Sequence, residues 1–235
     1  ANIRWIRQFA YWDQIEPQQG VYDWSRWDEI VAAVAAYDEL RLIVVFMNTP
    51  QWARPDAYTD QTTIPPPDPE HLANFTSEFA QRYGQQIDHY QIWDEPNLDD
   101  AWGLTDPNPT RYVAMLQAAY DAIHSADERA TVLSAALAPT SETGGMNLSD
   151  LLYLQQMYAR GAAVYMDAVA AKPYGFDHAV DDRLVDNSRL NFSRIVALRE
   201  VMQANGDGRK ALWAGNWGWN ALPADWSGEP SIWGD

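Results

Sequence analysis

The run Leu42-Ile43-Val44-Val45-Phe46 constrains this chain more than any other feature: five consecutive apolar residues, three of them β-branched, with no polar alternation. A strand with one wet face alternates apolar and polar residues, so an unbroken run calls for cover on both faces, as in a parallel sheet. Parallel neighbours need long crossovers, usually helices. The chain supplies that rhythm: β-rich runs at 4–9, 40–47, 87–93, 131–137, 165–170 and 210–213 alternate with helix-patterned stretches. An α/β fold built from βα units is therefore predicted, with residues 1–235 as a single domain.

The helical stretches carry start and stop chemistry. Ser25-Arg26-Trp27-Asp28 reads as a capping box ahead of Ile30, Val31, Val34 and Tyr37. Asp68-Pro69 and Asn108-Pro109 each place a capping side chain before a proline at the first helical position. Gly84, Gly161 and Gly206 stand where helices should stop. Irregular chain collects at 48–67, 96–107, 139–147, 172–187 and 214–235, always after a predicted strand, whereas the helix-to-strand returns are terse. In a (β/α)8 barrel the loops after strands build the active face. Six strands do not close an eight-stranded barrel, and an open doubly wound sheet is the other way to arrange them. No GxGxxG follows any of the runs, so the phosphate fingerprint of the doubly wound dinucleotide folds is missing.

Composition removes several function classes. A formal charge of −17, from 16 basic and 33 acidic residues, repels a phosphate backbone, so nucleic acid and anionic membrane surfaces are not expected partners. No apolar stretch is long enough to span a bilayer. Cysteine is absent, which rules out thiolate chemistry and leaves the compartment open. His71, His89, His124 and His178 show no metal-ligand spacing, and no metal or cofactor is expected.

Chemistry concentrates at Trp93-Asp94-Glu95-Pro96-Asn97, where a strand ends in two carboxylates and breaks at proline. On residue chemistry alone a strand-end carboxylate is a candidate acid/base, or simply the wet end of a strand. The pentapeptide resembles the W-N-E-P-N signature that ends the fourth strand of clan A glycoside hydrolases, and its local style is closest to the family 39 β-xylosidases. Further matches follow in order. Ile6-Arg7, Trp12, Ile15-Glu16-Pro17, Gly20 and Tyr22-Asp23-Trp24 are similar to the family's second unit, and Thr49-Pro50-Gln51-Trp52-Ala53 to the segment after its third strand. Asp167 to Ala170 leading to Pro173-Tyr174-Gly175 resembles the sixth unit, and Ala211 to Trp219 the seventh. The resemblance implies a (β/α)8 barrel, truncated so that the second to seventh units are present, with Glu95 as acid/base and Arg7 orienting the nucleophile.

Three departures fall together. Asn216 stands where the family has its nucleophilic glutamate, Asp94 where it has an asparagine, and Lys172 where it has a histidine. An amide cannot form a glycosyl ester, so ordinary retaining hydrolysis is not expected. A carboxylate added beside Glu95 raises a carboxyl pKa and a nearby ammonium reverses that, so Asp94 and Lys172 read as a compensated change. Asp94 or Glu16 acting as an unusual base is the alternative, and a structural or assembly role with a vestigial site is a third reading. With twelve tryptophans and twelve tyrosines, the chain offers many faces for stacking on sugar rings. Trp12, Trp52, Asn97, Lys172, Tyr174, Trp217 and Trp219 are the expected contacts to an oligo- or polysaccharide, with a partner chain completing or covering the barrel as a further possibility. The resemblance also points to an extracellular or cell-surface setting.

Overall fold

The computed structural model describes residues 4–219, 222–223 and 225–228. Its strands are β1 (Trp5–Tyr11), β2 (Arg41–Met47), β3 (His89–Ile92), β4 (Thr131–Leu133), β5 (Thr143–Gly144), β6 (Asn147–Leu148), β7 (Ala168–Ala171) and β8 (Ala211–Ala214). The α-helices are α1 (Trp12–Ile15), α2 (Ser25–Ala35), α3 (Pro69–Tyr83), α4 (Pro109–Ala126), α5 (Asp150–Ala159) and α6 (Arg194–Ala204). Six strands form one parallel sheet in the order β1-β2-β3-β4-β7-β8, while β5 and β6 pair as a small antiparallel hairpin.

That order settles the architecture. A doubly wound sheet reverses direction after its first strands, placing an early strand in the middle. Here spatial order follows sequence order without reversal, as in a (β/α)8 barrel, so the sheet is a six-stranded portion of a barrel wall.

The unbroken apolar run is explained by two separate cores. Leu42, Val44 and Phe46 point outward into the layer between sheet and helices, whereas Ile43 joins Leu133, Ala136, Ala168 and Ala170 on the inner face. Phe46 sits at the centre of the outer layer, stacked on Tyr90 at 5.7 Å and edge-on to Phe79 at 5.1 Å. On the inner face Trp5 and Trp213 meet edge to face at 4.9 Å.

Two of the three expected helix starts hold. Asp68 accepts from Glu70 N at 3.0 Å and Asn108 from Arg111 N at 3.0 Å, each ahead of a first-position proline. The capping box at Ser25 does not form, because Asp23, two residues earlier, takes both Ser25 N (3.0 Å) and Ser25 Oγ (2.6 Å). Past α5 and α6, Gly161 and Gly206 adopt positive φ, the left-handed turn in which residues that carry a Cβ are strained.

Candidate functional site

The site begins with a break in strand geometry. Successive side chains of a regular strand point to opposite faces, which would separate Asp94 from Glu95. At the end of β3, Trp93 and Glu95 instead both adopt positive φ, which is costly for residues that carry a Cβ. The conformation is held from several sides. Trp93 N donates to Phe46 O at 3.0 Å, the Trp93 indole to Ala101 O at 2.9 Å, and Glu95 N to Ala136 O at 3.1 Å. Asn97, fully buried, locks the following turn with bonds to Ala138 N, Ala138 O and Leu148 O. As a result the two consecutive carboxylates meet a single ammonium: Lys172 Nζ lies 2.8 Å from Asp94 Oδ2 and 2.8 Å from Glu95 Oε1.

Arg7, from the middle of β1, continues the chain of contacts. Its guanidinium pairs with Asp94 Oδ1 and donates to Gln91 Oε1 at 3.1 Å and to Asn216 Oδ1 at 3.0 Å. Gln91 in turn donates to Asp94 Oδ1 at 3.2 Å. A continuous relay thus runs Asn216–Arg7–Asp94–Lys172–Glu95, drawing on β1, the end of β3 and the loops after β7 and β8. Because a guanidinium only donates, the Asn216 oxygen must face Arg7 and its NH2 group must face away.

The charges in this set balance, two cations against two carboxylates, but their environments differ. Burial pushes the Glu95 carboxyl above its ordinary value; Lys172 pulls it back only in part, and Asp94 and Asp100 add to the rise. Burial alone would lower the Lys172 ammonium, yet Asp94 and Glu95 outweigh it and raise the group. Burial likewise raises the Tyr174 hydroxyl.

Among the described residues, two cavities open beside the relay. One of about 840 Å³ is lined by Glu95, Tyr174, Trp217 and Trp219, together with Asp100 and Glu142. The other, about 480 Å³ on the concave face of the sheet, is lined by Arg7, Gln91 and Asn216 with Trp5 and Trp213. Trp217 forms a wall of both and is 64% exposed. Trp219 is seated on the loop after β7: its indole donates to His178 O at 2.8 Å, and Gly175 N donates to Gly218 O at 3.2 Å.

The remaining expected contacts lie elsewhere. Trp12 is fully buried, stacked on Phe75 at 5.5 Å with its indole donating to Glu16 Oε2 at 2.7 Å, so it has no free face. Trp52 donates to Glu16 O at 3.0 Å, packs edge-on against Trp12 and His71, and lines neither cavity. Asn97 is spent on the turn described above. Glu16, considered as an alternative base, is buried and bonded to Trp12 and Gly20 N, where it pins the loop after β1. Conversely, Gln91, Asp99, Asp100, Glu142 and Phe176 belong to the relay or to the cavity walls without having been singled out in the sequence. Gln91 was accessible to reasoning, since it is two residues from Trp93 along the strand and polar inside an apolar run.

Among the described residues no group of three or more His, Cys, Asp or Glu is placed to hold a metal, and no helix is long and apolar enough to cross a membrane.

No protein-family model matches the sequence, and no curated protein matches it. Solved structures do. A family 39 glycoside hydrolase from Bacteroides cellulosilyticus WH2 superposes with a TM-score of 0.67 at 18% identity, over 92% of this chain and 44% of its own. The family 39 enzyme of Xanthomonas axonopodis pv. citri gives 0.66 at 20% identity, over 94% and 46%. A monomeric β-xylosidase from Caulobacter crescentus CB15 gives 0.65 at 21%, over 94% and 47%. The chain spans less than half the length of each. What it shares with these glycoside hydrolases is their fold, a portion of the (β/α)8 barrel that carries six parallel strands in sequential order.

Proposed function

We propose that the chain binds carbohydrate in the cleft beside Glu95 and does not perform ordinary retaining hydrolysis. The observation that supports this reading is the Asn216 amide oxygen held by Arg7 at 3.0 Å, Asn216 being the residue that the sequence resemblance aligns with the family's nucleophile. Retaining chemistry needs a carboxylate that attacks the anomeric carbon, with an acid about 5–5.5 Å away that protonates the leaving oxygen. Glu95, with its carboxyl raised by burial, suits the acid half of that pair. An amide cannot supply the other half. Asp94 is a poor substitute, because both of its oxygens are already engaged, one by Arg7 and Gln91 and the other by Lys172. Ligand contact then falls to Tyr174, Trp217 and Trp219, whose rings offer flat apolar faces to a sugar.

Asn216→Glu tests the reading directly. A carboxylate there would meet the Arg7 donors, and hydrolysis of aryl glycosides should rise from background by about 10⁴-fold or more, the usual cost of a lost nucleophile in reverse. The unsubstituted chain should bind oligosaccharides on a glycan array with no turnover. Turnover by the unsubstituted chain that disappears in Glu95→Gln would sink the proposal and establish an active glycosidase with a different base.

A further inference from the structure

The walls of the larger cavity carry information about its ligand beyond sugar binding. Glu95, Asp99, Asp100 and Glu142 all line it, and no Lys or Arg does among the described residues. Lys172 stands behind Glu95, 7% exposed, with its charge spent on Asp94 and Glu95. The other three carboxylates have no cationic partner among the described residues. Asp99 accepts from Asp100 N at 2.8 Å and Glu142 from Asn147 Nδ2 at 2.8 Å, both neutral donors, and none of the three forms an ion pair among the described residues. Asp100 and Glu142 are exposed. A cleft lined by one sign of charge focuses its field into the opening. Tyr174 and Trp217 add aromatic faces on the same cavity, and such faces attract a cation as well as the apolar side of a sugar ring.

Resting on the carbohydrate reading above, we infer that the cleft selects cationic saccharides, oligosaccharides whose residues carry free amines, over neutral, N-acylated or acidic ones. The ring supplies the surface that stacks on Trp217 and Tyr174, and the ammonium takes the place of the cation that the rim carboxylates lack. Uronic or sulfated sugars are repelled by the same field, so selectivity runs by charge in both directions.

Three trisaccharides that share one β-1,4 backbone and differ only at C2 isolate the effect: the glucose, glucosamine and N-acetylglucosamine trimers, titrated by calorimetry at low salt. The glucosamine trimer should bind at least about tenfold tighter than the other two, the combined size of a few partly exposed charge pairs. Raising the salt should erase most of that ratio. The triple variant Asp99→Asn, Asp100→Asn, Glu142→Gln should abolish the preference of the glucosamine trimer over the glucose trimer, with a circular dichroism spectrum matching that of the unsubstituted chain reporting that the fold is kept. Because the whole chain is acidic, Asp121→Asn, Glu128→Gln, Glu200→Gln removes equal charge from exposed helical and loop positions elsewhere and should keep the ratio. Equal binding of charged and neutral trimers, or a ratio that falls as much in the second variant as in the first, overturns the inference while leaving carbohydrate binding intact. If none of the trimers binds and a glycan array is also blank, the underlying carbohydrate reading fails instead.

Discussion

Lys172 touches both carboxylates at the end of β3, and its replacement has a defined consequence for each. Glu95 is already raised by burial with Lys172 opposing, so Lys172→Met removes the opposition and leaves burial, Asp94 and Asp100 acting together. The Glu95 carboxyl should then titrate at higher pH than in the unsubstituted chain, as read by carboxyl carbon NMR; an unchanged or lower value would refute this account of its ionisation. The stability consequence follows in sign. A carboxyl whose folded pKa exceeds its unfolded value holds more proton when folded, so its contribution is present below the ordinary carboxyl value and is lost as pH rises through the raised one. Lys172→Met should widen that window upward. The motif Trp93 to Asn97 was legible because it is contiguous, whereas Lys172 and Asn216 could be picked out only through a resemblance, and their contacts with Asp94, Glu95 and Arg7 come from the structure. The burial of Trp12 and Asn97 was not legible, because it depends on Phe75, Ala138 and Leu148, residues far away in sequence. Equally hidden was the pair of left-handed residues that turns Asp94 and Glu95 toward one ammonium, since neither is a glycine and no turn residue announces it.

Between strands, the long loops are organised by groups that no local pattern predicts. Arg194, at the start of α6 and almost wholly buried, forms an ion pair with Asp150 and also donates to Thr140 O at 3.2 Å and Asn187 O at 2.7 Å. One guanidinium thereby ties the loop after β4 to the loop after β7, both of which contribute walls to the larger cavity. Arg194→Met leaves Asp150 buried without its cation and should destabilise the chain by about 3–5 kcal/mol in urea unfolding. The double variant with Asp150→Leu should recover part of the loss; equal loss in the single and double variants would show that Arg194 acts through its carbonyl contacts alone. At Gly175 the constraint is space. A methyl group there would overlap the Trp219 indole ring, so Gly175→Ala should displace Trp219, change tryptophan fluorescence and weaken saccharide binding without abolishing folding. Unaltered binding would remove Trp219 from the ligand wall. Strand positions were readable from apolar runs, although the predicted run at 131–137 is regular only over Thr131–Leu133 and then continues through single bridges, Asp94 with Ala136 and Leu137 with Ala171. The β5–β6 hairpin was missed, having two residues per strand and no alternation to detect.

Across the whole molecule, the choice between a barrel wall and a doubly wound sheet could not be made from strand count, because both use the same βα units; only the spatial order distinguishes them. The charge balance acts at this same scale. A formal charge of −17 keeps like charges close together in the folded state and farther apart in the unfolded chain, so self-repulsion works against folding. Salt should relieve it. Between about 0.01 M and about 0.15 M the screening length falls from roughly 30 Å to roughly 8 Å, which removes repulsion across the surface. The same salt weakens exposed ion pairs such as Arg82 with Asp28, but such pairs contribute at most about 1 kcal/mol and commonly less. The buried pairs, Arg7 and Lys172 with Asp94 and Arg194 with Asp150, are sheltered from the solvent ions. Repulsion among so many unpaired carboxylates outweighs the few exposed pairs, so the net effect should be stabilising. If screening is worth about 1 kcal/mol, Tm rises by about 2–4 °C for a chain of this size. Calorimetric scans across that salt range, with sodium chloride to avoid the added stabilisation of sulfate, provide the measurement. A flat or falling Tm would mean that the acidic residues are already compensated locally, and the unpartnered carboxylates around the larger cavity would then be the first place to look for bound cations.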